Sequence, residues 1–459
     1  MLNSITNRKR FVAAAIMMIF LLVSIMAGTE SASAASKLKV KPGKKTIYVG
    51  SSVTLKANKK VKWSIIKGKK VVKLTSKKKK SVKVKGLKAG SAVIKVKAGK
   101  ATKKIKITVK KKKTKPVNPP VVIPAKKGVV SINVDLTDAE KYPAGKVAKL
   151  WLPVPPSDDN QTITNVDLNA PAATTSIKPD SCGDQVAYIE WGTDVAPEDR
   201  KATLSFHVDR KAVIRPDNLA SLEKGPVDEV EMAEYLKETA MSGSKTEGIV
   251  KETADKIVSD AGATTVYDKA HAIYNWVCDN MTRNGQSQYR LRGDVVGMLT
   301  DGLTGGTCVD INATFVAMCR AEGVPAREII GMWFDKKSPK CRAQFFLPGY
   351  GWVEADPSQP LKVIMEDDIR GNADYADFWE RTKDEYWGQA NEMWMMFTFG
   401  RDITLDPPQS AEPGTDGILT DDGKLNVFMF PYGEFDGQYL PSEDKANYKY
   451  QYDFVEDAK

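Results

Sequence analysis

The chain has 459 residues, of which 42% are hydrophobic and 27% are charged, with five cysteines and two histidines. This composition excludes disordered, collagenous and disulfide-dense proteins, and the length predicts more than one hydrophobic core. The net charge of +12 is unevenly distributed. Residues 36–127 contain 33 lysines and no acidic residue, whereas residues 128–459 carry 33 basic and 56 acidic residues. We therefore expect two modules of opposite charge.

The first 35 residues have the pattern of a secretory signal peptide. Three basic residues at 8–10 precede an apolar run over 11–28, and Ala-Ser-Ala at 32–34 offers a cleavage site. An uncleaved membrane anchor is the alternative, because the apolar run is long for a signal core. Both interpretations predict that the rest of the chain is exported, as a secreted or cell-wall-associated protein. Since five is an odd number, at least one cysteine stays unpaired within the monomer.

Residues 36–110 alternate between apolar residues and lysines, as in VKVK at 82–85 and IKVK at 94–97. This alternation predicts strands with one buried and one solvated face, and the glycine breaks between them predict an all-β sandwich. The segments TIYVGSSVTL at 46–55, VKWS at 61–64 and GLKAG at 86–90 resemble the bacterial Ig-like domain of group 2. The resemblance implies a surface spacer or adhesion module.

The lysine-rich module is also a candidate for binding anions. Its positive charge suits anionic cell-wall polymers, lipid headgroups or the acidic remainder of the chain. No nucleic-acid recognition motif accompanies the lysines, so we do not expect nucleic acid as a partner.

A boundary between modules is predicted at residues 111–128, where lysines and four prolines favour an extended linker. Residues 129–212 alternate again and predict a second β-sandwich. After residue 213 the apolar residues fall at helical spacing, which predicts two or three helices before the glycines at 302–306. We assign residues 213–360 to an α+β core and residues 361–459 to a C-terminal extension packed on that core.

Cys308 lies where a glycine turn meets a predicted helix. Thr307 suits the N-cap position, and an apolar stripe that includes Phe315 and Cys319 continues to Gly323. The first helical turn stabilises a thiolate, because its backbone amides are unpaired and the helix dipole favours an anion. From this segment alone, Cys308 is equally a nucleophile or a small buried cysteine. Cys319 lies about three turns away and is predicted to be in the core.

A β-hairpin is predicted over residues 340–357, since both flanks alternate and Pro-Gly-Tyr-Gly forms the turn. The register decides which side chains share a face. If Leu347 pairs with Gly351, Asp356 lies diagonal to Lys340 and forms an ion pair with it. A loop shorter by one residue would place Asp356 opposite Cys341 instead.

These pieces, in this order, resemble the bacterial transglutaminase-like superfamily. The resemblance rests on GTCVD at 306–310, FVAMCRAEGVPAR at 315–327, and the hairpin segments CRA, LPGYGW and DP within 341–357. Weaker resemblance, at 142–155 and again at Trp394 and FMFP, extends to a preceding β-domain and a C-terminal extension. The family implies a papain-like fold and a Cys, His and Asp triad that transfers acyl groups from peptide or isopeptide amides. By position, Cys308 matches the nucleophile and Asp356 the orienting carboxylate.

The histidine of that triad is missing. The family places it directly before the position of Cys341, where this chain has Lys340, and both histidines of the chain precede Cys308. Gln344 also replaces an expected glutamate. An ordinary lysine is protonated at neutral pH and is therefore a poor base. Two functions remain open: a thiol acyltransferase or amidase with Cys/Lys chemistry and impaired activity, or an inactive peptide-binding or scaffold protein.

Other candidate residues have simpler interpretations. His271, on a predicted helix, could approach Cys308 from another element, but an exposed or satisfied helix histidine is the simpler interpretation. Two distant histidines and scattered cysteines do not make a metal-ligand set, so we predict neither a metal nor a cofactor. The aromatic residues at 374–399 could line a substrate groove, although their helical spacing favours packing of the extension on the core.

Overall fold

The structure is a computed structural model that describes residues 37–42, 46–110, 123–302, 305–413, 418–442, 445–446 and 448–458. The chain divides into two compact units between Pro120 and Val121. The predicted signal peptide and most of the predicted linker lie outside the described residues. Within the described part of the chain, no helix is both long enough and apolar enough to cross a membrane.

The first unit consists of strands. They are β1 (Val40–Lys41), β2 (Thr46–Tyr48), β3 (Ser52–Ala57), β4 (Lys62–Lys67), β5 (Val72–Thr75), β6 (Ser81–Gly86), β7 (Gly90–Ala98) and β8 (Ala101–Lys110). Two four-stranded sheets result, in the orders β1-β3-β6-β5 and β2-β8-β7-β4. Val84 of the first sheet and Ile107 of the second are fully buried in one shared core, whereas Lys83 and Lys85 are exposed. The predicted β-rich module is confirmed, and its Ig-like character stays a prediction.

The second unit opens with the strands β9 (Ala125–Asp135), β10 (Ala148–Val154), β11 (Gln161–Asn169), β12 (Thr174–Pro179), β13 (Gln185–Trp191) and β14 (Lys201–Lys211). A mainly helical region follows, with α1 (Ala233–Leu236), α2 (Gly248–Ala261), α3 (Val266–Asn280), β15 (Thr282–Arg283), α4 (Val295–Thr300), β16 (Gly305–Gly306) and α5 (Cys308–Ala321). The remaining elements are β17 (Ala326–Trp333), β18 (Ser338–Leu347), β19 (Gly351–Ala355), α6 (Ser358–Val363), α7 (Ala376–Glu385), β20 (Trp394–Phe399), β21 (Tyr432–Phe435), β22 (Gln438–Tyr439) and β23 (Lys449–Glu456).

A β-sandwich in the second unit is built from both ends of that unit. Its sheets have the orders β12-β13-β10-β21-β22 and β11-β14-β9-β23, and Ile132 and Leu150 from opposite sheets are fully buried in one core. The extension over 361–459 therefore does not simply pack on the α+β core, because three of its strands complete the sandwich. The reason is visible in β23, where Tyr450 and Tyr452 are buried on alternate positions and can pair along β9. β9 itself begins at Ala125, inside the predicted linker.

The α+β core combines a four-stranded antiparallel sheet, β19-β18-β17-β20, with the helices that pack on it. Helix α5 packs against β17 and β18 on one side and against α2 and α3 on the other, so every one of its residues is buried. Four helices precede α5 in the described residues, rather than two or three. The additional helices are the short α1 and α4, which are too short to show a helical period.

Half of the aromatic segment serves as packing. Trp379, Trp387, Trp394 and Phe397 are buried, which confirms the packing interpretation for four of its eight rings, whereas Tyr375 and Phe378 are exposed. Trp387 stacks on Phe345 of β18 with ring centroids 5.0 Å apart.

Gly331 permits the close approach of strands in the core sheet. It lies opposite Lys340 of β18 and Met396 of β20, and a Cβ here would lie 1.7 Å from the Met395 carbonyl oxygen. We expect Gly331→Ala to lower the free energy of unfolding by about 3 kcal/mol, because the strands must separate. Urea denaturation of the full chain measures this change. Gly285→Ala is the control, since no atom lies within 4 Å of its Cβ position, and equal effects would contradict the close approach.

Candidate functional site

The turn before α5 is fixed by one carboxylate. Asp310 accepts hydrogen bonds from the Thr307 backbone N–H (2.7 Å), the Thr307 hydroxyl (2.7 Å) and the Gly293 N–H (2.8 Å). Thr307 is the N-cap, as predicted, and Cys308 is the first residue of the helix. Gly306 is required here because a Cβ would lie 2.5 Å from the Cβ of Asp310. The Cys308 thiol is therefore held in the first turn of α5, where an anion is stabilised.

Cys308 forms a buried pair with Cys341 of β18. Asn312 ties the two elements together, because its Nδ2 donates to the carbonyl oxygens of Cys308 (2.9 Å) and Cys341 (3.3 Å). Cys308 is 5% exposed and Cys341 is fully buried. All five cysteines, each within the described residues, are free thiols.

The pKa values of the two thiols in this pair are shifted in opposite directions. A hydrogen bond from the Cys341 thiol lowers the pKa of Cys308 most, and it acts with the positive charges of Lys340 and Arg283 against the effect of burial. Burial and the Cys308 charge raise the pKa of Cys341. The lowered pKa favours the thiolate form of Cys308, with the Cys341 thiol as its hydrogen-bond donor.

The hairpin has the register that the ion pair requires. Leu347 pairs with Gly351, which confirms the longer of the two loops, and the Lys340 Nζ lies 3.2 Å from Asp356 Oδ1. Lys340 is 6% exposed and Asp356 is 3% exposed. The predicted ion pair between these side chains is thereby confirmed and is buried.

Ser358 completes this pair. Its hydroxyl donates to Asp356 Oδ1 at 2.6 Å and accepts a hydrogen bond from Lys340. Burial raises the pKa of Asp356, but Lys340, Arg342 and the Ser358 hydrogen bond outweigh it and hold that pKa below its ordinary value. Arg342 lies 3.7 Å from the second carboxylate oxygen. The carboxylate is therefore ionised and oriented between two cations.

The strand that carries Lys340 is braced from β20. Trp394 donates its indole N–H to the Lys340 carbonyl oxygen at 3.1 Å, and the Arg342 guanidinium lies 4.7 Å from the Trp394 ring centroid. These contacts hold the Lys340 backbone and the Arg342 side chain, on either side of Cys341.

The two histidines have other partners. His271, on α3, contacts the rings of Tyr267 and Trp387, with centroids 5.7 and 4.9 Å away. His207, on β14, pairs with Asp457 at 2.9 Å. Neither histidine is among the residues described above that contact Cys308. The interpretation of His271 as a satisfied helix histidine is confirmed.

Gln344 has a structural reason to replace the expected glutamate. It accepts a hydrogen bond from Arg327 Nε at 2.9 Å and donates to Glu354 at 3.0 Å. A glutamate at this position could not donate to Glu354 and would place two carboxylates together.

Several residues of the site carried no sequence signal. Ser358 follows Asp356 by two residues, but only the turn into α6 brings its hydroxyl back to the carboxylate. Arg283 lies near the start of α5 because β15 pairs with β16 in parallel. Strands of two residues are too short to show a periodicity in the sequence. The sequence pattern places Cys341 only as the alternative neighbour of Asp356 in the hairpin and carries no signal for its contact with Cys308.

Comparison with known proteins agrees with this architecture. Residues 251–357 match the family model described as the transglutaminase-like superfamily. An uncharacterized protein of Haemophilus influenzae is 29% identical over 341 residues, which covers 66% of this chain and 85% of that protein. The second unit therefore contains a transglutaminase-like domain.

Two solved structures are similar to parts of this chain at low sequence identity. A proposed cysteine protease from Cytophaga hutchinsonii is 15% identical, with a TM-score of 0.40, over 72% of this chain and 98% of that chain. The periplasmic domain of TgpA from Pseudomonas aeruginosa is 13% identical, with a TM-score of 0.27, over 53% of this chain and 91% of that chain.

Cys308 is expected to be alkylated first among the five cysteines when the protein is treated with iodoacetamide near neutral pH. Its lowered pKa preserves the reactive thiolate as the pH falls, whereas an ordinary thiol loses about tenfold in thiolate per pH unit below its pKa. Peptide mapping by mass spectrometry gives the labelling rate of each cysteine. Cys182, whose pKa burial raises to about 12, is the internal comparison, and parallel pH profiles would contradict the assignment.

Cys341→Ala should raise the pKa of Cys308, because the thiolate loses its main hydrogen-bond donor. Alkylation of Cys308 should then slow near neutral pH and recover at alkaline pH. Cys319→Ala, another buried cysteine change on the apolar side of α5, controls for the cavity that each substitution leaves. A neutral-pH rate that is unchanged in Cys341→Ala would rule out the proposed donor.

Proposed function

We propose that the second unit is a thiol-dependent acyltransferase or amidase that acts on peptide or isopeptide amides. Cys308 is the nucleophile, Lys340 moves the proton, and Asp356 orients Lys340. The observation that carries the proposal is the buried Lys340–Asp356 pair beside a cysteine with a lowered pKa, within a transglutaminase-like domain.

The acylation step needs no base, because Cys308 is already a thiolate. Its sulfur attacks the amide carbonyl carbon and forms a C–S bond. The C–N bond then breaks as the Lys340 ammonium gives one proton to the leaving amine. The products are a thioester on Cys308, a free amine and a neutral Lys340 side chain.

Deacylation returns the proton. Water or an acceptor amine attacks the thioester carbonyl and gives a proton to neutral Lys340, and Cys308 leaves as the thiolate. Asp356 and Ser358 position Lys340 in both steps. An ordinary lysine ammonium is a much weaker acid than an imidazolium, so proton donation to the leaving amine is expected to be slower than from a histidine.

Lys340→His is expected to raise amide turnover by about 10² to 10⁴, the usual contribution of a positioned acid–base group with a pKa near neutral. Release of a fluorescent amine from peptide amides measures the change. Lys340→Arg is the matched control, because it keeps the positive charge but does not give up its proton. Wild-type turnover in Lys340→Arg, or full activity in Cys308→Ala, would contradict the mechanism.

An inactive peptide-binding or scaffold protein is the second candidate function. The observation that favours it is that the Lys340 ammonium is already engaged by both Asp356 and Ser358. Under this alternative neither the wild type nor Lys340→His turns over any amide, while peptide binding survives in Cys308→Ala.

We also propose that the chain acts outside the cell, secreted or attached to the wall, through the lysine-rich first unit. The support is the composition of residues 36–127, with 33 lysines and no acid, and the exposed lysines of β6. A surface of one sign attracts polymers of the opposite sign.

Binding of the full chain to isolated anionic wall polymer is expected to weaken steeply with added salt, because the attraction between exposed charges is screened. Co-sedimentation of the chain with the polymer at several salt concentrations measures the bound fraction. Cell wall stripped of its anionic polymer is the control. Retention that does not depend on ionic strength would contradict the electrostatic account.

A further inference from the structure

The surroundings of Cys308 carry more positive charge than the proposed chemistry uses. Arg283 of β15 lies opposite Gly306 of β16, two residues before Cys308. Helix α6, which carries Lys362, packs against both β15 and α5. Two cations therefore lie on elements that adjoin β16 and α5, close enough to Cys308 for their charges to interact with it.

Among the described residues, these cations lack acidic partners. The buried Arg283 Nη1 has no hydrogen-bond partner among the described residues. Within the same described part of the chain, no ion pair involves Arg283 or Lys362. The nearby carboxylate of Asp356 is paired with Lys340 and Arg342 instead. A buried guanidinium nitrogen without a partner is unusual, since buried donors in native proteins are nearly always satisfied.

The charges act on one another and on the nucleophile. Burial lowers the pKa of Lys362, and the positive charges of Lys336, Arg283 and Lys340 lower it further, whereas the charge of Cys308 opposes them. Arg283 also lowers the pKa of Cys308. Lys362 and Lys336 are exposed, so this positive region opens to solvent.

We propose that the substrate of this site carries a carboxylate close to the scissile amide and that Arg283 and Lys362 bind it. This inference rests on the proposed acyl-transfer function and adds the substrate class: acidic peptides, with a side-chain or terminal carboxylate beside the reacting bond. A guanidinium binds a carboxylate through two parallel hydrogen bonds, and Lys362 adds a point charge at the solvent side.

A second role for the same charges must be separated in the test. Arg283 and Lys362 could act only by stabilising the Cys308 thiolate. That effect changes the reactivity of Cys308 toward every electrophile, whereas a carboxylate subsite favours electrophiles that carry a carboxylate.

The experiment compares alkylation of Cys308 in the full chain by iodoacetate, which carries a carboxylate, and by neutral iodoacetamide. The quantity compared is the iodoacetate rate divided by the iodoacetamide rate. This ratio does not depend on the fraction of Cys308 that is thiolate, because both reagents react with the same thiolate. In the wild type the ratio should exceed that of free cysteine and fall with added salt. Arg283→Gln should lower it by about tenfold, the usual effect of one charge-assisted hydrogen bond, and Lys362→Gln should lower it less.

Arg283→Lys keeps the charge but cannot form the two parallel hydrogen bonds, so its ratio should lie between those of the wild type and Arg283→Gln, which distinguishes loss of charge from loss of folding. Lys256→Gln, at an α2 side chain that is 76% exposed, should leave the ratio unchanged. A wild-type ratio no higher than that of free cysteine, or equal slowing by both reagents in Arg283→Gln, would overturn the carboxylate subsite. Since alkylation needs no turnover, absence of amide turnover with an intact ratio would overturn only the catalytic proposal.

Discussion

The buried ion pair between Lys340 and Asp356 is the interaction on which the rest of the site depends. Removing two charges from water costs several kcal/mol for each ion, and the cost is met only where the geometry and the additional hydrogen bonds are good. Here Ser358 bridges both partners and Arg342 lies beside the carboxylate. The pair in turn fixes an ammonium near Cys308, where it favours the thiolate. A histidine–aspartate pair would transfer protons more easily than this lysine–aspartate pair. The pair is therefore better suited to placing a positive charge near Cys308 than to proton transfer.

The sandwich of the second unit supports this site. Arg210 of β14 donates to the Trp394 carbonyl oxygen at 2.8 Å, and the Trp394 indole donates to the Lys340 carbonyl oxygen at 3.1 Å. Gln161 of β11 exchanges hydrogen bonds with the Met396 backbone. Strand β20 therefore links the sandwich to the strand that carries Lys340. The C-terminal strands β21 and β23 pair with β10 and β9, so both ends of the second unit contribute to this sandwich.

The parts of the site that local patterns determine were predictable from the sequence. The N-cap at Thr307 and the hairpin over residues 340–357 follow from helix-start chemistry and from strand alternation, whereas the pairing of Leu347 with Gly351 was one of two registers that the alternation allows. The Cys341–Cys308 contact and the position of Arg283 were not predictable, because they depend on how separate elements pack. The sheet joined by β23 is a similar case, since alternation predicts a strand but not its neighbours.

The most direct test of the central claim is a pH titration of thiolate ultraviolet absorbance, taken as the difference between the wild type and Cys308→Ser. If Lys340 and the N-terminus of α5 hold Cys308 as an anion, the difference signal should persist to pH values well below the ordinary range of a thiol. It should move to higher pH in Lys340→Met, which removes the ammonium. A signal that appears only in the ordinary thiol range, or one that Lys340→Met leaves in place, would contradict the account.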